Sequence, residues 1–208
     1  MTIYSLAGEW HPTKCYLDDV INVQLKRKWN AQEIQNAGFH SSLSGGNPLL
    51  ADLSDSYVSD LSMASGIVHD RVEFFHYIRY DVINDTSMTT VKLHVGDVVD
   101  ILEESEGTAY ATISAIIRHR ANSGDYYAFF IFSWLEARNE WHDLDVPLYL
   151  CDRDTWKWRC VFLISFIDHT PRIHFVHDCR DTCSPGNHDL SNFEMIFILV
   201  LFRVKHTD

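Results

Sequence analysis

Positive charge is scarce in this chain. Its 208 residues carry 17 Lys and Arg against 29 Asp and Glu, a formal charge of -12. A field of that sign repels phosphate backbones and favours basic partners, so a general nucleic-acid binder is not expected. A Gly-rich phosphate loop, a dinucleotide fingerprint and a nucleophile elbow are all missing, which removes the usual sequence grounds for a nucleotide-dependent enzyme or an α/β hydrolase. There is no internal repeat and no low-complexity tract. The opening MTIYSLAGEW has neither a basic start nor a long apolar run, so no secretory leader is expected. The apolar stretch from Phe193 to Val204 contains Glu194 and falls short of the roughly 20 residues that a membrane span needs. A buried strand or a short core helix is expected there instead. Five cysteines, at 15, 151, 160, 179 and 183, form an odd and scattered set, which reads as reduced intracellular thiols.

What is present points to a packed, β-rich protein. Apolar residues make up 46% and charged residues 22%, the proportions of a globular domain, and the 13% aromatic content leans towards strands. The length suits one domain, or one domain with an extension. Between Tyr16 and Gly38, Leu17, Val20, Ile21 and Leu25 follow helical spacing. Asn30 with Glu33 resembles a capping pair, and Gly38 sits where a helix stops. The run from Ser41 to Pro48 is loop-like, and Leu49 to Met63 reads as a weak helix. Arg71 to Val82 alternates as a strand, with Val72, Phe74, His76, Ile78, Tyr80 and Val82 on one face. Two short basic runs, Lys26-Arg27-Lys28 and Arg118-His119-Arg120, stand against the acidic balance.

The centre of the chain, Val91 to Leu135, holds three strand-like runs joined by short turns containing Gly and acidic residues. Such connections join antiparallel neighbours, so a three-stranded meander is expected. Its third run, Tyr126 to Trp134, is almost wholly apolar and must be covered on both faces. Glu136 to Asp145 reads as a polar loop or short helix. Further strands are expected at Val146–Cys151, Lys157–Ile167 and Arg172–His177. A small antiparallel barrel or two packed sheets would satisfy this pattern. The division read from the sequence is a partly helical extension at 1–66 and a β domain at 67–208.

The order Val95-Gly96-Asp97-Val98-Val99, then Tyr110-Ala111-Thr112-Ile113-Ser114-Ala115-Ile116, then an apolar run ending in Trp134, resembles the bromo-adjacent homology (BAH) domain. Pro147-Leu148-Tyr149-Leu150, Val161 to Ile167 and Arg172 to Cys179 fall where that family has its later strands. The resemblance covers roughly residues 67–204. The Arg-Pro that follows the Trp in the family is replaced by Leu135-Glu136-Ala137-Arg138. What the resemblance implies is a mainly β, antiparallel BAH-like barrel with a few short helices. It also implies a non-enzymatic chromatin-associated module in the nucleus, whose partner is a protein or a basic peptide such as a histone tail. Some members of the family read histone tails through an aromatic cage, where cation–π attraction holds a methylammonium group. By motif position Tyr110 and Trp134 fall near the family's cage positions, and Glu136 stands where a further aromatic occurs, offering a carboxylate to a cation. Packing in the core is the competing role for both rings.

One cluster stands apart from the resemblance. His177, Cys179, Cys183 and His188 lie within HDCRDTCSPGNHD, and two thiolates with two imidazoles could hold a structural Zn²⁺, although the spacing matches no standard finger. A surface turn with free thiols is the competing reading. Cys160 or Cys179 with His169, His174 or His177 has the residue types of a Cys/His hydrolase, but nothing in the local sequence supports one. Asp143, Asp145, Asp152 and Asp154 read as solvated loops. Two alternatives to the interaction module are a zinc-containing or metal-dependent nuclease from a mobile-element protein and a structural domain of a longer protein.

Overall fold

Two caps written in the sequence start the two α-helices among the described residues. The Asn30 side chain accepts a hydrogen bond from the Glu33 amide at 2.9 Å, and the Glu33 carboxylate accepts one from the Asn30 amide at 2.8 Å. This reciprocal capping box satisfies two donors that the first turn would leave bare. It opens α1 (Ala31–Asn36), which ends before Gly38 at φ 76°. Asn47 caps α2 (Pro48–Ser59) through the Leu49 amide, with Pro48 in the first turn, where its missing N–H costs nothing.

The computed structural model describes residues 13–14, 20–44, 46–63, 67, 69–84, 87–101, 109–141, 147–151, 159–167, 173–177 and 196–201. Its strands are β1 (Thr13–Lys14), β2 (Val20–Lys28), β3 (Val72–Asn84), β4 (Ser87–His94), β5 (Val98–Ile101) and β6 (Ala109–Arg120). They continue with β7 (Tyr126–Trp141), β8 (Pro147–Cys151), β9 (Val161–Leu163), β10 (Ile173–His177) and β11 (Ile196–Leu201). All join one sheet, ordered β10-β11-β8-β7-β6-β3-β2, with β4 on β3, β5 on β6, and β1 and β9 on β7. Every pairing among them is antiparallel except β1 with β7. The mainly antiparallel β architecture expected from the sequence is present. The path is open from β10 to β2, so closure into a barrel is not shown. Among the described residues no helix is long and apolar enough to cross a membrane.

The meander is as expected: β5 pairs β6, and β6 pairs β7. Residues 127–132 of β7 are all buried because the strand feeds two cores, one on each face. Phe130 and Phe132 join Ile78, Tyr80 and Ile113 on one side. Phe129 and Ile131 join Phe74, Ile117 and the α2 residues Leu49, Leu53 and Tyr57 on the other. A bulge between Ile113 and Ala115 shifts β6 by one position, so this strand also serves both layers.

Three expectations are corrected. Val20 to Leu25 is strand rather than helix: β2 carries a bulge between Ile21 and Gln24, with Asn22 at φ 57°. The extra residue puts Val20, Val23 and Leu25 in the core and leaves Ile21 half-buried, so the strict alternation of a strand is lost. The alternation along β3 also breaks. Val72 and Phe74 face one core, whereas Phe75, Ile78, Tyr80 and Val82 face the other, as the strand changes partner from β6 to β4. Finally, the polar stretch after Trp134 stays extended to Trp141 because β8 pairs with it, Glu136 opposite Leu150 and Ala137 opposite Tyr149.

The described part of the segment before residue 67 is built into this sheet. β2 forms the edge beside β3. The α2 residue Asp52 accepts a hydrogen bond from the Cys160 amide at 2.6 Å, and Ser56 donates to the Val161 carbonyl at 2.6 Å.

Candidate functional site

The strand register separates the residues that the sequence grouped. Tyr110 is opposite Leu135 on β7, while Trp134 is opposite Ala111. Neighbours along a strand point to opposite faces, so Tyr110 lies on one face of the sheet, and Trp134 and Glu136 lie together on the other. Packing agrees. The Tyr110 ring meets Tyr149 edge-on at 5.4 Å between centroids. Burial pushes its phenol above the ordinary range, and Tyr149 and Asp100 add to the effect. Trp134 packs on Phe132 at 6.3 Å and edge-on to Phe162 at 5.8 Å, and its indole N–H donates to the Arg159 carbonyl at 2.9 Å. A cage containing both Tyr110 and Trp134 is therefore not formed. Trp134 remains half-buried and Glu136 exposed.

Arg159 organises this neighbourhood. Its guanidinium lies 4.2 Å from the Phe162 ring centroid and donates to Ser59 at 2.9 Å and Ser56 at 3.0 Å. It also pairs with the Asp60 carboxylate. The aromatic cluster beside Trp134 thus already accepts one cation on a ring face. Arg159 was visible two residues before β9, but its pairing with Asp60 across 99 residues was not.

Of the proposed metal ligands, Cys179, Cys183 and His188 lie outside the described residues, and His177 is described only as the end of the β10 backbone. Among the described residues no group of His, Cys, Asp and Glu is arranged to hold a metal ion. Cys160 is buried, and its thiol lies 3.1 Å from the Asp52 carboxylate. Burial, then the neighbouring Asp52 charge, push the thiol far above its ordinary range. A thiol held protonated and covered is a core residue and not a nucleophile.

The two basic runs meet. β3 lies between β2 and β6, and Glu73 on β3 receives Lys28 from one side at 2.6 Å and the Arg118 Nε from the other at 2.6 Å. Burial works against ionisation of Glu73, but these two cations hold its carboxyl below the usual range. Arg118 also lies over the Tyr126 ring at 4.8 Å. Next to this triad is a cleft of about 780 Å³, bounded by Ile34 of α1, Phe39 and His40 beyond it, Arg71 before β3, and Arg120 and Tyr126. Its wall is tied together by hydrogen bonds from the Val72 amide to the Ser41 carbonyl and from the Leu43 amide to the Asp70 carbonyl.

The fold and these surfaces define a mainly antiparallel β protein with an aromatic-and-acidic face and a separate basic cleft. Comparison with protein-family models, with curated proteins and with solved structures finds no match.

Proposed function

We propose that the chain is a non-enzymatic protein-interaction module of the BAH type, acting in the nucleus on chromatin, which takes a basic peptide such as a histone tail on the Trp134 face of β7. The observation that carries this reading is the juxtaposition of half-buried Trp134 and exposed Glu136, two residues apart on one face of one strand. A lysine or arginine side chain could lay its stem on the indole and its charge near the carboxylate. The charge of -12 adds long-range attraction for such a peptide. The meander that opens with Gly96-Asp97-Val98-Val99 and the strand pairs that follow it support the family resemblance, for which a closed barrel remains the proposed form.

The test is titration of the full chain with a panel of modified and unmodified histone-tail peptides. Binding by at least one basic peptide, lost in Glu136→Lys, supports the reading. Uniform absence of binding removes it. Glu136 is the residue to reverse because it is exposed, so its substitution spares the packing that Trp134 provides.

A further inference from the structure

The basic cleft carries an arrangement that the Trp134 face does not use. On the antiparallel β3–β6 ladder, Glu73 is opposite Arg118 and Val72 is opposite His119. The ladder ends there: Arg71 and Arg120 are the next residues of the two chain segments, and Arg71 bridges Ser42. Glu73 and Arg118 are complementary charges, whereas Arg71 and Arg120 bring two like charges to one cleft, an arrangement that an anion between them would favour. Both arginines are exposed, both line the cleft, and neither has an ion-pair partner among the described residues. Lys28, Arg71, Arg118 and Arg120 are set here against two carboxylates, Asp70 and Glu73. Glu73 is already taken by Lys28 and Arg118. The local balance is thus the reverse of the chain's net charge of -12.

We propose that Arg71 and Arg120 form a fork for a carboxylate side chain presented by an acidic peptide segment of a partner protein. A guanidinium offers planar paired donors matched to a carboxylate. Arg118 already binds a carboxylate within the cleft, with two of its nitrogens meeting one oxygen of Glu73. Phe39 and Tyr126 supply apolar wall for neighbouring side chains of the peptide, and about 780 Å³ is room for a short segment. A nucleic acid is disfavoured because the acidic remainder of the surface would repel a long polyanion, while a short segment meets only the local cations.

Fluorescence anisotropy of a short fluorescein-labelled Glu-rich peptide containing one Phe, titrated with the full chain, tests this. Saturable, salt-sensitive binding is expected, weakened about tenfold or more by R71E and by R120E, as loss of a charge-assisted contact implies. K92E, which reverses an exposed charge on β4, should leave it unchanged. R71Q and R120Q remove the charge without reversing it, and provide the same readout should a reversal disturb folding. The proposal is overturned if the peptide does not bind, or if the Arg variants bind it as the wild type does. It is equally overturned if citrate or a single-stranded oligonucleotide displaces the peptide and binds more tightly.

Discussion

The Tyr57 hydroxyl lies 2.7 Å from Nδ1 of His119, whose other ring nitrogen lies 2.7 Å from the His69 carbonyl oxygen. A carbonyl only accepts, so Nε2 carries the proton, and in the neutral ring Nδ1 accepts from Tyr57. The pair joins α2 to the far end of β6 inside the core.

Burial lowers the pKa of His119 below the ordinary value of 6.5. The unfolded chain therefore binds a proton that the folded chain refuses, and stability falls as the pH drops below about 6.5 and is fully present above it. Urea unfolding midpoints measured across that window should show this loss in the wild type and a shallower dependence in H119Q. Y57F, which leaves Nδ1 without its donor, should cost about 1–3 kcal/mol at neutral pH.

Arg159 and Asp60 form the second test. The Asp60 side chain is 1% exposed, so R159A strands a buried carboxylate and should destabilise by about 3–5 kcal/mol. Removing both charges together, as in R159M with D60L, should cost less than R159A alone. Thermal or urea unfolding of the three chains checks the order.

Gly96 occupies φ 96° between β4 and β5, and its amide donates to the Ile113 carbonyl at 2.8 Å. A Cβ there meets no atom within 4 Å, so the cost of G96A is conformational, about 1–3 kcal/mol. A change below a few tenths of a kcal/mol in the unfolding free energy would contradict this.

Much of the sheet was legible because β6 and β7 are long, apolar and joined by a four-residue turn region around Asn122-Ser123-Gly124-Asp125. The capping pair Asn30 and Glu33 was legible because its partners are three residues apart. What escaped was decided at a distance. The β2 bulge broke the alternation that marks a strand, and pairing with β8 kept the polar end of β7 extended. The opposite orientations of Tyr110 and Trp134 depend on register, which no local motif records. The basic runs containing Lys28 and Arg118 were visible separately, but their meeting at Glu73 depends on β3 lying between them.

The β2–β3 pairing has one more consequence. β2 covers β3 from Phe75 to Val82, so a chain shortened to residues 67–208 would bare a row of unsatisfied amides and carbonyls beside Ile78 and Tyr80. Such a margin is a template for strand addition between molecules. Light scattering should find the shortened protein as oligomers or aggregate, whereas the full chain, with its margin occupied by its own β2, has no such template there.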